Sequence, residues 1–455
     1  MDILILSGGG IGGLTLAFAL ATDRFDIAID VYEAQTSFSE FGAGIALWPR
    51  VREVLFALGL KEDLNRLAPP GDTLKPVQMI RGDIPDATPW GTTPDMTAIH
   101  RAEFLKILVD RVAACSNCTA HFSKKLVSYE DSSDGPVQLA FSDGLFATCD
   151  ILIGADGVKS AVRATMYSRF AEAAEAEVEA TKLRNHINPV WAGQVVYRYL
   201  IPREDLEAAD PTHRCLTIPM EVGLMIYENA NTVLIDDIFQ FQGKGMGIVT
   251  YPISGGRWIN VAAIVAKHNL FGSTFSDRWS ATVDRDEVAE HFNDWEKESR
   301  VLVELMKSPT RWAVNVVPNL PTYVYGRVAL LGDAAHAMVP YQAVGVGQAV
   351  EDAFILATLL SQVRSNSRCI DALTVYDEMR RPFSQNIQNV SLKTGITLFM
   401  DKKGEVPLGP AFEYGELEDS AQDFGALFQW SATTSLLPDR DQALKNYHML
   451  TQSKL

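Results

Sequence analysis

Apolar residues along this chain fall into three textures. The first is a short run with apolar side chains at consecutive positions. Ile3 to Leu6, "IAIDVYEA" (27–34), "DILIGADG" (150–157) and "GRVALLGD" (326–333) all show it, and each stops in a polar or glycine-containing turn. Consecutive rather than alternating apolar residues predict strands buried on both faces, as in a parallel sheet. Between the first two runs, "LTLAFALA" has a helical pattern, so a strand–helix–strand unit closes within about thirty residues. "HRAEFLKILVDRVAAC" (100–115) repeats the helical spacing.

The second texture spans Val190 to Val265. There the runs "VWAGQVVYRYLI", "RCLTIPM", "VGLMIY", "TVLID", "GIVTYPI" and "WINVAAIV" alternate with turn residues, which predicts a largely antiparallel sheet. The third is helical. "RFAEAAEAEVEATKLRNH" (169–186) predicts one alanine- and glutamate-rich helix with a solvated charged face, "EVAEHFNDWEKESRVLVELM" (287–306) a helix or helix pair, and the stretch from Gly347 to about Thr397 is mostly helical. The fold class that follows is α/β: a nucleotide-binding domain of residues 1–70, 96–185 and 320–400, interrupted by a sheet domain of 71–95 and 186–319. A helical or irregular tail of 401–455 follows.

Charge narrows the partners. Fifty-seven acids against forty bases among 455 residues give a net charge of −17, which argues against nucleic acid and anionic membranes. The longest apolar run, Ile11 to Ala21, is broken by glycines and Thr15 and is too short to span a bilayer. Asp2 stands where a signal peptide needs positive charge. Five scattered cysteines, with Cys115 and Cys118 read as inert thiols, suit a reducing compartment, so the expected address is cytoplasmic. The eight histidines form no H-E-x-x-H or clustered ligand set, and no metal is expected. A G-x-S-x-G elbow and a phosphate-binding G-x-x-x-x-G-K-[ST] loop are both missing.

The chemistry starts at "SGGGIGG". Gly8, Gly10 and Gly13 satisfy G-x-G-x-x-G between a strand and a helix, and Glu33 ends the second strand twenty residues after Gly13. That arrangement predicts a dinucleotide whose pyrophosphate sits on the helix N-terminus and whose ribose meets the acid. The fingerprint alone does not decide between NAD and FAD.

Two later segments bear on that choice: "GADGVKSAVR" (154–163), with Asp156-Gly157, and "LLGDAAHAMVPYQAVGVGQAVEDA" (330–353), with Gly332-Asp333, Pro340, Gly345 and Gly347. With "GAGIALWP" (42–49) and Arg101 in "HRAEFL", the chain resembles the class A flavoprotein aromatic hydroxylases, in the salicylate hydroxylase-like branch. The resemblance covers roughly residues 1 to 400. It implies a GR2-type, p-hydroxybenzoate hydroxylase-like FAD domain with an inserted substrate sheet. FAD would be held by Gly8, Gly10, Gly13, Glu33, Ala46, Arg101, Asp156, Asp333, Pro340, Gly345, Val346 and Gly347.

The resemblance also implies NADPH or NADH as a transient reductant, O₂, a small aromatic substrate, and hydroxylation through a flavin C4a-hydroperoxide, with decarboxylation where the ring carries a suitably placed carboxylate. Arg198 and Tyr227 are the expected catalytic-pocket residues, with Tyr251 and Tyr341 as further substrate contacts, and His336 supports the loop. Two other readings share the motifs: an FAD-dependent epoxidase or reductase of an isoprenoid, and a non-catalytic flavin-binding protein. A monomer or homodimer is expected. One departure stands out. Relatives often carry His and then Gln-Gly after the proline, whereas this chain has Tyr341, Gln342 and Ala343.

Overall fold

The computed structural model describes residues 3–38, 44–68, 77–85, 89–94, 96–132, 135–216, 238–253, 256–399 and 420–453. Its first sheet runs in the order Val324–Tyr325, Val328–Leu330, Ile151–Gly154, Ile3–Ser7, Ala28–Tyr32, Cys118–His121. All neighbours are parallel except the Val324–Tyr325 edge. Leu4, Leu6, Ile151 to Ile153 and Val328 to Leu330 are wholly buried, which explains their unbroken apolar runs. Each such leucine, isoleucine or valine contributes roughly 1.5–3 kcal/mol by leaving water. The central strands come from opposite ends of the chain, since Leu152 pairs with Ile5 on one side and Val328 on the other.

The second sheet has the order Ser280–Thr282, Thr310–Val316, Val190–Pro202, Trp258–Ala266, Met246–Ile253, Ile238–Gly243, Val77–Arg81, Pro89–Thr92. It is antiparallel apart from Ile238–Gly243 beside Val77–Arg81. The expected strands "VGLMIY" and "TVLID", with most of "RCLTIPM", lie outside the described residues. A small sheet, Leu126–Glu130, Val137–Phe141 and Phe146–Cys149, is separate from both.

The expected single helix over 169–186 is instead two, Ala161–Ala173 and Glu177–Arg184, parted at Ala174 with extended backbone. The second piece has its own polarity: Glu177 and Glu179 in its first turn, Lys182 and Arg184 in its last. These charges suit a separate macrodipole, and the piece folds back on its predecessor. Residues 287–306 contribute to a helix pair, Arg285–Phe292 and Lys297–Glu304, capped by the Asp284 and Glu296 carboxylates.

Helix Gly345–Ser361 packs against helix Ile11–Asp23 and is followed by the long helix Cys369–Leu398. Two more helices, Ser420–Thr433 and Leu437–Gln452, return to the body, the first against Pro49–Ala57 and the long helix. Among the described residues no helix is long and apolar enough to cross a membrane.

Candidate active site

Two glycine-rich turns meet in space. Gly8 has φ +109°, and a Cβ there would lie 2.3 Å from the Ala155 carbonyl oxygen. A Cβ on Gly13 would lie 2.2 Å from the Gly8 oxygen, so only glycine lets this helix start so close to its strand. Gly10 has nothing within 4 Å of where a side chain would be; it faces open space. The Glu33 carboxylate accepts the Gly9 N–H at 2.9 Å, fixing the turn beside the strand end. From the far end of the chain, Gly345–Ser361 begins beside the same space, and Gly12 is wedged against Leu331 and Ala349. Neither helix has a side-chain cap. Their unpaired N–H groups and positive dipole ends therefore converge on one region, an arrangement suited to anionic or electron-rich groups.

The second turn is held from beneath. Gly332 (φ +60°) donates its N–H to Asp352 Oδ2 at 3.1 Å, and His336 Nε2 lies 2.5 Å from the same oxygen. Arg380 donates to Asp352 Oδ1 at 2.8 Å and to Glu351 Oε2 at 2.9 Å, and Arg50 adds a 3.0 Å bond to Glu351 Oε1. All five side chains are buried. Burial alone would raise the Asp352 pKa, but His336 and Arg380 outweigh it and hold the carboxyl down at about 2. Arg163, fully buried and lowered by that burial to about 10, donates to the carbonyls of Ala334 and Val158. It thus laces the Asp156 turn to the Asp333 turn.

Between the turns and the second sheet lies a cavity of about 490 Å³. The register of the sheet makes its floor a grid. Arg198 pairs with Ala262, Ala262 with Val249, and Val249 with Gln240, forming one line across four strands; Tyr251 pairs with Asn260 in the next row. All six line the cavity. Arg198 is surrounded by protein yet open to the cavity, and burial followed by the neighbouring Arg101 charge pulls its pKa down, against the influence of Tyr251. The Tyr251 hydroxyl accepts the Gly44 N–H at 3.0 Å, and burial raises its pKa, keeping it a neutral phenol. Among the described lining residues Asp333 is the sole carboxylate.

Of the residues singled out from sequence, Gly10, Gly13, Ala46, Arg101, Arg198, Tyr251, Asp333, Pro340, Tyr341, Gly345 and Val346 line this one cavity. Gly8, Glu33 and Gly347 lie just behind, in the turn, at the strand end and against Val51. Asp156 is off the wall: its Oδ2 accepts the N–H groups of Ala161 and Val162, capping the following helix, and burial raises its pKa. Tyr227 lies outside the described residues.

The Tyr341-Gln342-Ala343 departure has a structural account. Tyr341 is buried, bonds Gln194 through its hydroxyl, and lays its ring on Gly395 and Phe399. The Gln342 side chain bonds Thr394, the Leu427 carbonyl and Trp430, and its own carbonyl accepts from Trp48. Ala343 takes a left-handed conformation, φ +52°. Sequence reasoning missed Gln240, Asn260 and Phe428, all on the cavity wall.

A family model described as "FAD binding domain" matches residues 1–219 and 261–391. Salicylate hydroxylase of Pseudomonas putida is 32% identical over 399 residues, covering 85% of this chain and 83% of its own. The chain belongs to the class A FAD-dependent monooxygenases, in their salicylate hydroxylase-like branch. Another relative of this monooxygenase is 6-methylsalicylate 1-monooxygenase of Aspergillus terreus, 30% identical over 406 residues, covering 86% of this chain and 82% of the relative. A solved salicylate hydroxylase substrate complex superposes with a TM-score of 0.76 at 26% identity, covering 97% of this chain and 98% of that one.

The monooxygenase uses FAD, and its own geometry suits the cofactor. The space beside Gly10 is open, and side chains on Gly8 or Gly13 would collide with backbone. Two uncapped helix starts also face a cavity that joins the glycine turns to the sheet.

Proposed function

We propose that the enzyme hydroxylates a small phenolic or aromatic-acid ring, using NAD(P)H and O₂, in the cavity between the glycine turns and the second sheet. The observation that carries this reading is Arg198: a guanidinium at the edge of an otherwise largely apolar floor, with burial already weakening its proton affinity. An anionic ring substituent there restores what desolvation removes. Tyr251 adds a phenolic proton: its oxygen accepts from Gly44, which leaves the O–H free to donate into the cavity. The named substrates of the relatives, salicylate and 6-methylsalicylate, have this character.

In this reading Gly8, Gly10, Gly13 and Glu33 hold the adenosine and pyrophosphate part of FAD, Ala46, Arg101 and Asp333 the ribityl part, and the Pro340 to Gly347 segment the ring system. When bound, FAD passes electrons from the nicotinamide to oxygen and delivers one oxygen atom to the substrate ring. The protein's share is different. Val196, Val249, Ala262 and Ile264 exclude water from the floor, Arg198 orients the ring by its acidic group, and the helix starting at Gly345 offers N–H groups to developing negative charge. Where oxygen enters at the carboxylate-bearing carbon, CO₂ leaves. All five cysteines are unpaired, in keeping with a cytoplasmic site of action.

The test is a panel of phenols and phenolic acids screened for stimulated NAD(P)H oxidation, with labelled O₂ and product mass. A labelled hydroxylated aromatic product is expected, lighter by CO₂ where oxygen has replaced the carboxylate. If no aromatic product carries the label, the reading fails.

A further inference from the structure

Two amides in the cavity have no partner among the described residues. Gln240 is 7% exposed and Asn260 6% exposed, both line the cavity, and neither side chain makes a hydrogen bond among those residues. Their amides open on the cavity and not into packed protein, so each is available to whatever fills that space. Both sit on the floor that Arg198 borders. Gln240 lies in register with Val249, Ala262 and Arg198, three strand spacings away, or about 14 Å between Cα positions. Asn260 lies one row over, on the strand that also carries Ala262. The stretch between Arg198 and Gln240 is floored only by Ala262 and Val249. That is an apolar bed about the width of an aromatic ring, with a cation at one side, the Gln240 amide at the other, and Asn260 on its flank beside the Arg198 strand.

We propose that Gln240 determines specificity by binding a second ring substituent, a neutral hydroxyl set across the ring from the anionic group that Arg198 holds. A carboxamide both donates and accepts, and so does a phenolic hydroxyl; a second carboxylate would meet no second cation at that side. The substrate class is therefore a ring acid with an additional hydroxyl distal to its acidic group. This rests on the aromatic-acid reading above and refines it.

The experiment uses the FAD-loaded enzyme and two probes of one shape: benzoate with hydroxyls ortho and para to the carboxylate, and its analogue with methyl replacing the para hydroxyl. Binding is read from the perturbed flavin absorbance. The wild type is expected to favour the para-hydroxyl compound by roughly tenfold or more. In Gln240→Met that ratio should fall toward one while FAD stays bound. Gln240→Met is near-isosteric, and Gln240→Leu takes its place if it does not accumulate. A wild type that binds both probes equally, or a variant that keeps the ratio, overturns the proposal. So does loss of FAD from the variant, which would assign the amide to the cofactor. A wild type that binds neither probe sinks the aromatic-acid reading as well, so the two failures are distinct.

Discussion

The ring of Tyr341 occupies the space a side chain on Gly395 would need: a Cβ there would lie 2.2 Å from the ring's Cε2. The ring cannot easily yield, because Phe399 meets it edge-on at 5.2 Å and its hydroxyl is bonded to Gln194. Gly395→Ala is therefore expected to destabilise the protein by about 1–3 kcal/mol, despite alanine's better helix propensity. It should also weaken substrate binding, because Tyr341 lines the cavity. Thermal unfolding and substrate titration of the FAD-loaded variant check both effects; an unshifted melting point would show that the ring moves freely.

Ala343 holds a left-handed backbone, φ +52°, without being glycine. Such a conformation costs an alanine about 1 kcal/mol. Ala343→Gly should release part of that strain and raise the melting temperature by about a degree or two. A lower melting point would mean that the methyl group contributes packing worth more than the strain.

The pH dependence of stability should carry the mark of Asp352. Its folded pKa of about 2 lies below the ordinary carboxylate value. Its stabilisation is thus complete above about pH 4 and disappears as pH falls toward the folded value. Asp352→Asn should lose about 3–5 kcal/mol at neutral pH, leaving His336 without its carboxylate and Arg380 with that of Glu351 alone. It should also flatten the decline of the denaturation midpoint between about pH 4 and pH 2. A decline as steep as the wild type's would assign the acid sensitivity to other groups.

Arg198→Ala should weaken binding of ring acids roughly ten- to hundredfold, while leaving FAD content and the affinity for neutral phenols nearly unchanged. Equal losses for acids and phenols would make Arg198 a general support of the sheet.

These expectations differ in how far the sequence foreshadows them. The glycine turns are legible because their geometry is local: Gly8, Gly10 and Gly13 follow a buried strand and open a helix, and the apolar runs on either side say so. Gln240 and Asn260 have no such signature. A lone amide on a strand is ordinary until the register aligns it with Arg198, and that register depends on pairing between strands far apart in the chain. Phe428 is hidden for the same reason, because its helix reaches the cavity by packing on Pro49–Ala57, Pro89–Thr92 and the long helix. The break at Ala174 shows the opposite case. The charges of Glu177 to Arg184 already mark a separate helix, but they are easily read as one solvated face.

The central sheet joins Ile3–Ser7 to Ile151–Gly154, and that strand in turn to Val328–Leu330. A chain emerging from the ribosome therefore cannot assemble the complete cofactor cradle until its third sheet segment and the helix at Gly345 have been made. Until then the glycine turn near the N-terminus has half a binding site. A ligand that needs both turns can be captured only after the last of these segments has been made, and a chain stopped before Gly345 would lack the helix start that closes the cavity.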